Sequence, residues 1–247
     1  MALRAFQRAV QKGRNAARRV RCGLALHSEN VSAEVPNDLF QAHLSIYWFF
    51  ARFVQGRRVL DIGSGTGYGA AHLRQAGASE VVGVDRDRRS VAYASSHYKL
   101  PGLRFLVADA QELPSDLGRF DVVVSSNVFE HLEDPARAIT QMRRHLKPGG
   151  PFVLVVPPIV DEASLEANRR IEFHKSNLFV WQWADLLKES FGRVRAFRHL
   201  PPAGSLPDFS DPFPSALSPA DFEFCELQVA ELGAVLTLGA VFVASDE

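Results

Sequence analysis

A glycine-rich stretch at residues 59–73, VLDIGSGTGYGAAHL, follows directly on an apolar run that ends in an aspartate. It places glycine at four alternate positions, namely Gly63, Gly65, Gly67 and Gly69. A glycine turn after a buried strand lets a ligand approach the main chain and the N-terminus of the following helix. The pattern predicts a nucleotide-type pocket; the alternative is that the glycines only form a tight strand-to-helix turn.

The rest of the chain alternates short β-branched runs with helical patterns, which is typical of a parallel sheet covered by helices on both faces. We predict strands at residues 58–62, 80–85, 104–108, 120–126, 151–157, 193–199 and 235–244. Helices are predicted at residues 38–54, 67–76, 88–98, 135–145 and 178–191. Residues 201–219 are rich in Pro, Ser, Asp and Phe, and they are predicted to form a long loop between the last two strands.

The composition indicates one main domain with an appendage, because 247 residues with 47% hydrophobic content can build one large core. The two cysteines, Cys22 and Cys225, lie far apart without metal-type spacing, which favours a reducing compartment. There is no run of 18 apolar residues and no apolar segment of the signal-peptide type. We therefore expect a cytoplasmic protein without a membrane span.

The ends of the second and third predicted strands carry acidic residues that suit a nucleoside. Asp85 closes VVGVD about twenty residues after the glycines, where a carboxylate can bind both hydroxyls of a ribose; alternatively, Asp85 only caps the next helix. Asp109 and Ala110 close the third strand in FLVADAQELP, where a carboxylate beside a backbone N–H can recognise an adenine. An NAD-dependent oxidoreductase is disfavoured, because a G-x-G-x-x-G pattern counted from Gly63 meets Tyr68 and no Tyr-x-x-x-Lys element is evident.

Five motifs occur in order and together resemble one family, the class I S-adenosylmethionine-dependent methyltransferases. They are LDIGSGTGYG, VGVD, ADAQELP, FDVVVSSNVFEHLEDP and LKPGG, and the resemblance covers roughly residues 38–191. It implies a Rossmann-like α/β fold with a seven-stranded, mostly parallel sheet of order 3-2-1-4-5-7-6, in which the last strand is antiparallel. It also implies S-adenosyl-L-methionine as cofactor and S-adenosyl-L-homocysteine as product.

The resemblance assigns roles to particular positions. The glycine motif would hold the methionine part of the cofactor, the second strand end the ribose and the third the adenine, while the backbone after the fourth strand would face the sulfonium. The predicted cofactor-binding residues are Asp61, Gly63, Ser64, Gly65, Gly67, Asp85, Arg86, Asp109, Ala110 and Asn127.

The acceptor side carries weaker signals. The segment QAHLSIYWFF resembles the helix that closes over the cofactor in small-molecule and glycan methyltransferases, so His43 and Tyr47 are candidate substrate contacts; alternatively, this helix is only packed on the sheet. Glu130 is a third candidate contact, and His131 and His174 are the candidate catalytic residues, because a hydroxyl acceptor needs a base and histidine suits neutral pH. No metal site is expected, although Asn127 and Glu130 could imitate part of a catechol-type ligand set.

The predicted activity is O-methylation of a small-molecule or glycan-type acceptor by in-line methyl transfer. The alternatives are N- or C-methylation of another metabolite, of RNA or of protein, and a cofactor-binding protein without catalysis. Methylation of nucleic-acid amines is disfavoured, because SNVF lacks the paired prolines of the D/N-P-P-Y/F element.

The start of the chain is strongly basic, with seven Lys and Arg residues and no acid before Glu29. Residues 1–28 are predicted to form an amphipathic arm that contacts an anionic membrane, peripherally at the inner face, and residues 29–247 the methyltransferase domain. The arm resembles the basic starts of methyltransferases found with bacterial surface-polysaccharide enzymes, which favours sugars as acceptors. A solvated arm, a transit peptide and an RNA patch are the alternatives; Phe6 is the only aromatic residue there, so no nucleic-acid partner is expected.

Overall fold

A computed structural model of the protein describes residues 31–203, 206–233 and 237–246. The predicted basic arm, residues 1–28, lies outside these described residues. The described chain folds around one sheet of eight strands, and none of its helices is long and apolar enough to cross a membrane.

The strands are β1 (Arg58–Ile62), β2 (Glu80–Asp85), β3 (Leu103–Val107), β4 (Val122–Ser126), β5 (Phe152–Val156), β6 (Arg193–Leu200), β7 (Glu223–Leu227) and β8 (Gly239–Ser245). Their order in the sheet is β3-β2-β1-β4-β5-β8-β6-β7. The first five strands run parallel, β8 pairs antiparallel with β5 and β6, and β7 pairs antiparallel with β6. The predicted order 3-2-1-4-5-7-6 with an antiparallel last strand is thus confirmed, with β8 as the seventh predicted strand.

The predicted count of seven strands is corrected to eight, because β7 forms an edge strand that the sequence prediction missed. The sequence of β7, EFCEL, has too few β-branched residues to predict a buried strand. It is stabilised instead by tertiary contacts, since Arg195 of β6 donates to Glu226 across the pair at 2.7 Å and Phe224 stacks on Phe49. An exposed edge strand with charged side chains is a common end to a sheet.

The helices are α1 (Asp38–Phe50), α2 (Tyr68–Gln75), α3 (Arg88–His97), α4 (Pro135–His145), α5 (Glu162–Arg169) and α6 (Val180–Lys188). All except α5 were predicted from the sequence. Helix α5 has only eight residues and begins at a capping box in which Asp161 accepts from the Ser164 N–H at 2.7 Å. A short helix of this kind leaves little periodicity to detect in the sequence.

Each face of the sheet buries its own apolar layer. One layer contains alternate residues of the strands, such as Leu60 and Ile62, with residues of α4 and α6. The other contains the intervening residues, such as Val59 and Val81, with residues of α1, α2 and α3. This alternation fixes the register of the strands and brings the ends of β1, β2 and β4 to the same edge.

The segment between β6 and β7 packs against α1 instead of extending into solvent. Phe209 and Phe222 are buried against Ala42, and Asp38 accepts hydrogen bonds from Asp208 N–H and from the Ser215 hydroxyl. The described part of this long segment is therefore anchored to α1.

Candidate active site

Most of the predicted cofactor-binding residues lie at or just beyond the carboxyl ends of four adjacent strands. Ile62 pairs with Val84 in β2 and with Ser125 in β4, so β1, β2 and β4 end at nearly the same level. Asp85 in turn pairs with Val107 near the end of β3. Ligands of open parallel sheets bind at this edge, in the crevice where the strand order reverses on either side of β1.

The glycine turn after β1 is held tightly against β2. Gly63 and Ser64 both donate their N–H to the carbonyl of Val84, at 2.8 and 3.0 Å. Gly63, Gly65 and Gly67 have φ angles of +71°, +53° and +87°, a conformation that glycine adopts without the steric cost of a Cβ. The turn ends at Gly67, directly before the first residue of α2.

Protein side chains occupy the space that three of the four glycines leave. A Cβ at Gly63 would overlap the side chain of Val128, one at Gly67 would lie 2.7 Å from the Cβ of Ala94, and one at Gly69 would overlap the ring of Tyr47. Each of these glycines therefore permits a contact within the protein. The alternating spacing therefore reflects close packing of the protein around the turn.

Asp85 connects the end of β2 to the glycine turn. Its Oδ2 accepts from the Gly65 N–H at 2.9 Å and its Oδ1 from the Asp87 N–H at 2.8 Å. The alternative role as a helix cap belongs to Asp87, which accepts from the Arg89 N–H at 3.1 Å at the start of α3. An ionised carboxylate has about four acceptor positions, so Asp85 can still accept from two hydroxyls.

The third strand end presents Asp109 and Ala110. Asp109 is exposed and its Oδ1 accepts from the Gln111 N–H at 2.8 Å, which fixes the carboxylate at the rim. Ala110 is 8% exposed, and the hydrogen bonds among the described residues include none that its N–H donates. Arg86, by contrast, is an exposed residue beside Asp85.

Asp61 is fully buried beneath the glycine turn, next to Tyr47. The Tyr47 hydroxyl donates to Oδ1 of Asp61 at 3.2 Å. Burial raises the pKa of Asp61 to about 7, the negative charge of Asp85 adds to this, and the Tyr47 hydrogen bond lowers it. A buried carboxyl of this kind would bind the ammonium group of a ligand, because a positive charge stabilises its ionised form.

Of the two candidate substrate contacts on α1, Tyr47 is placed against the glycine turn. Its ring is 3% exposed and touches Gly69, so it supports the predicted cofactor region. His43 lies one turn earlier and is partly buried. Burial and, to a lesser extent, the charge of His43 lower the pKa of His199 to about 3.

Asn127 follows β4 in a left-handed conformation with φ +52°, the only non-glycine residue of the described chain with positive φ. Its N–H donates to the carbonyl of Val155 at 2.9 Å. Asparagine tolerates this conformation better than most residues, and such positions are concentrated at functional sites. The turn leads directly into a short 3₁₀ helix, Phe129–His131.

Glu130, His131 and His174 are brought together at this point, although His174 is distant in sequence. One ligand atom of each side chain lies within 4.8 Å of the other two, and the imidazole rings of His131 and His174 meet edge to face with centroids 4.9 Å apart. Glu130 and His174 are buried and His131 is partly buried. We name these three residues the EHH cluster. Each is a separate candidate in the sequence, and the structure brings the three side chains together.

Backbone contacts hold the EHH cluster in place. The carbonyl of Glu130 accepts from the N–H groups of Lys175 and Ser176 at 2.7 and 2.9 Å. The Ser176 hydroxyl donates to the carbonyl of Leu132 at 2.7 Å. The segment that follows α5 is thereby fastened to the 3₁₀ helix after β4.

Asn168 is the residue of this region that sequence reasoning missed. Its Oδ1 lies 2.7 Å from Nδ1 of His174, and its Nδ2 donates to Oδ1 of Asn177 at 2.8 Å. An asparagine on a short helix gives no motif in the sequence, and its role depends on the tertiary contact alone.

Comparisons with known proteins found similar chains among the methyltransferases. A family model described as "Methyltransferase domain" matches residues 60–154, from β1 into β5. A protein described as a "probable S-adenosylmethionine-dependent methyltransferase" from Mycolicibacterium smegmatis is 32% identical over 152 residues, which cover 62% of this chain and 58% of that protein. The ubiquinone biosynthesis O-methyltransferase of Cereibacter sphaeroides (strain ATCC 17025) is 37% identical over 134 residues, which cover 53% and 50%.

The fold also matches a solved structure from Thermotoga maritima described as a "SAM-dependent methyltransferase, possible histamine N-methyltransferase". The TM-score is 0.59 with 20% identity, and the match covers 84% of this chain and 92% of that one. At this identity the likeness concerns the fold. The chain spans about half the length of the curated relatives that it matches.

Proposed function

Because this chain belongs to the class I S-adenosylmethionine-dependent methyltransferases, we propose that it transfers the methyl group of S-adenosylmethionine to a hydroxyl of a small-molecule or glycan-type acceptor. S-adenosylmethionine is the cofactor of the family and S-adenosylhomocysteine is the product. The observation that carries the proposal for oxygen as acceptor atom is the EHH cluster, which lies three residues beyond Asn127 at the end of β4.

The cofactor would lie across the carboxyl ends of β1 to β4. Asp61 and the turn from Gly63 to Gly67 would hold its methionine part, Asp85 its ribose, and Asp109 with Ala110 its adenine. The buried carboxyl of Asp61 and the remaining acceptor positions of Asp85 suit an ammonium group and two hydroxyls respectively. The methyl group would then face the turn at Asn127.

Methyl transfer from a sulfonium needs mainly geometry, because the methyl group is already activated. Holding the acceptor in line with the C–S bond and excluding water can contribute several kcal/mol. A hydroxyl must also lose its proton as the new O–C bond forms. His131 and His174 are the proposed groups for that step, with Glu130 contacting the acceptor, since neutral imidazole is a suitable base near pH 7.

The relative from Cereibacter sphaeroides, an O-methyltransferase, supports oxygen as the acceptor atom. The basic arm at residues 1–28 supports a glycan-type acceptor, which would be held near a membrane surface. N- or C-methylation of another metabolite, and cofactor binding without catalysis, are the competing functions.

The test combines calorimetry with an acceptor screen. We expect the purified chain to bind S-adenosylmethionine and not NAD, and to transfer a labelled methyl group to hydroxyl-bearing acceptors. His131→Asn and His174→Asn should each lower kcat by at least about tenfold while the affinity for S-adenosylmethionine is unchanged. The matched control is His97→Asn, because His97 lies at the opposite edge of the sheet.

Three results would contradict the proposal in different ways. Absence of S-adenosylmethionine binding would remove the cofactor assignment. Label found only on nitrogen or carbon acceptors would reject O-methylation, and full activity of the His131→Asn, His174→Asn double variant would reject the role of the EHH cluster.

A further inference from the structure

We propose that the EHH cluster binds a divalent transition-metal ion that holds the acceptor oxygen. This rests on the proposed function and changes one part of it: the ion would act on the acceptor of the same methyl transfer, and His131 and His174 would be its ligands instead of the base. No metal site was expected from the sequence, where only Asn127 and Glu130 imitated part of a ligand set; Glu130 and His131 are adjacent in the chain, but His174 joins them only in the fold.

The hydrogen bond of His131 determines which of its ring nitrogens carries the lone pair. Its Nδ1 lies 3.1 Å from the carbonyl oxygen of Phe173. A carbonyl can only accept, so Nδ1 carries the proton and, in the neutral ring, the lone pair is on Nε2. That same Nε2 atom lies 4.0 Å from Oε1 of Glu130.

The tautomer of His174 follows from a chain of three hydrogen bonds. Asn177 Nδ2 donates to the carbonyl of His174, at 3.2 Å, which makes Oδ1 of Asn177 an acceptor. That oxygen accepts from Nδ2 of Asn168, so Oδ1 of Asn168 is the atom facing His174. His174 therefore donates from Nδ1 and its lone pair is also on Nε2.

Both histidines thus have the arrangement that metal-binding histidines require. In such sites one ring nitrogen donates to a carbonyl, amide or carboxylate oxygen, which fixes the tautomer, and the other nitrogen binds the ion. Phe173 and Asn168 supply these acceptors here.

Glu130 supplies the third ligand and the negative charge. Its side chain is 1% exposed, and an ionised carboxylate in such a position is costly unless a positive charge compensates it. A divalent ion provides that charge. Bonds of about 2.0 to 2.2 Å to nitrogen and oxygen would draw the three side chains closer around the ion through small rotations.

The ligand set selects the kind of ion. Two imidazoles and one carboxylate suit Zn²⁺, Fe²⁺, Co²⁺ and related ions, whereas Mg²⁺ and Ca²⁺ prefer sites made of oxygen ligands. Three protein ligands leave coordination positions open, as in catalytic metal sites. The acceptor hydroxyl would occupy one of them.

The ion would change how the acceptor loses its proton. A hydroxyl bound to a divalent ion is more acidic, so its proton passes to water and not to an imidazole that already binds the ion. The O–CH₃ bond then forms as the S–CH₃ bond breaks, and neutral S-adenosylhomocysteine leaves. The two histidines contribute as ligands and Glu130 balances the charge.

The test is a titration of tag-free, metal-depleted protein with Co²⁺, followed by visible absorption, and then displacement with Zn²⁺. We expect one saturable site per chain with the absorption bands of a low-coordinate Co²⁺ ion. Glu130→Gln, His131→Asn and His174→Asn should each weaken Co²⁺ binding by more than tenfold. Asn168→Ala should weaken it by roughly 10- to 100-fold, as loss of an orienting partner does.

His97→Asn is the matched control and should bind Co²⁺ like the unaltered protein, because His97 ends α3 at the far edge of the sheet. Thermal unfolding of each variant separates loss of the ligand from loss of the fold. If unaltered protein gives no saturable Co²⁺ spectrum, or if the His131→Asn, His174→Asn double variant binds equally well, the metal site is rejected.

The metal test is independent of the proposed function. Calorimetry should give the same affinity for S-adenosylmethionine with and without the ion. Methylation of a hydroxyl acceptor that continues at full rate after metal depletion would overturn the metal site alone. Failure to bind S-adenosylmethionine, with Co²⁺ binding intact, would overturn the proposed function alone.

Discussion

At the scale of single residues, Asp85 performs a structural role and a proposed binding role at once. Its two oxygens accept from the N–H groups of Gly65 and Asp87, so the carboxylate holds the glycine turn against β2. The same carboxylate is the proposed ribose contact. Removing the Asp85 carboxylate should therefore weaken cofactor binding more than removing a carboxylate elsewhere on the rim would.

We predict that Asp85→Ala lowers the affinity for S-adenosylmethionine by at least about tenfold, because hydrogen bonds to a charged group contribute roughly 1.5 to 3 kcal/mol. Isothermal titration calorimetry measures this directly. The control is Glu112→Ala, a carboxylate near the third strand end with an 82% exposed side chain, which should bind normally. Equal affinity of both variants would remove Asp85 from the cofactor site.

Asp61 makes the stability of the protein depend on pH. Its pKa is raised from 3.8 to about 7 in the folded protein, so the buried carboxyl favours folding in its neutral form. This contribution is complete below about pH 4 and is lost as the pH rises through 7. The Asp61→Asn variant keeps an oxygen that can accept from the Tyr47 hydroxyl. Because its amide does not ionise, it does not lose this stability as the pH rises.

We predict that Asp61→Asn is more stable than the unaltered protein at pH 8, by up to a few kcal/mol, and that this advantage disappears toward pH 4. Denaturant unfolding at pH 4.5, 6 and 8 measures the difference. A pH-independent difference between the two proteins would show that the Asp61 carboxyl stays ionised throughout this range.

At the scale of elements, α1 and the glycine turn form one packed unit. Tyr47 of α1 fills the space above Gly69 of α2, its hydroxyl reaches Asp61 of β1, and its ring meets Phe50 and Tyr68 edge to face. These contacts place α1 beside the proposed methionine part of the cofactor. The resemblance of α1 to a closing helix is thus accompanied by a rigid attachment at Tyr47.

Gly69→Ala tests this attachment. Helix propensity favours alanine over glycine by up to about 1 kcal/mol, yet the added methyl group would overlap the buried Tyr47 ring. We predict a net loss of about 1 to 3 kcal/mol in the free energy of unfolding, as is typical of overpacked cores. Denaturant unfolding gives the value.

Gly233→Ala provides the control for this substitution, since a Cβ there would lie 3.8 Å from Val160, at ordinary contact distance. Its stability should change by less than about 0.5 kcal/mol. Combining Gly69→Ala with Tyr47→Leu should restore part of the lost stability. A Gly69→Ala variant as stable as the unaltered protein would mean that Tyr47 can shift freely.

At the scale of the whole molecule, the charge of the chain is unevenly distributed, because the first 21 residues carry seven basic and no acidic side chains while the formal net charge is zero. A membrane with anionic lipids attracts such a segment by about 1 kcal/mol for each Lys or Arg near its surface. Contact of this arm with a membrane remains a proposal, since the arm lies outside the described residues.

We predict that deletion of residues 1–24 abolishes co-sedimentation with anionic phospholipid vesicles and leaves the affinity for S-adenosylmethionine unchanged. Binding of the full chain should also weaken as salt is added, because salt screens the charges. Vesicles of neutral lipid serve as the control. Equal sedimentation of the truncated and full chains would show that the arm does not mediate membrane binding.

The sequence by itself determined the α/β class and the bounds of β1, β2 and α4, because these properties depend on local patterns such as hydrophobic periodicity and the glycine turn between β1 and α2. The order of the seven predicted strands came from the resemblance to the methyltransferase family. Two elements, α5 and β7, escaped prediction because their stability comes from caps and cross-strand contacts rather than from periodicity.

Only the tertiary structure decided which residues meet. It assigned the space beside Gly63, Gly67 and Gly69 to Val128, Ala94 and Tyr47. It also joined His174 to Glu130 and His131 and placed Asn168 and Phe173 against the Nδ1 atoms of His174 and His131. The physical reason is that most of these contacts link residues far apart in the chain, so their geometry depends on how separate elements pack together, which no local pattern encodes.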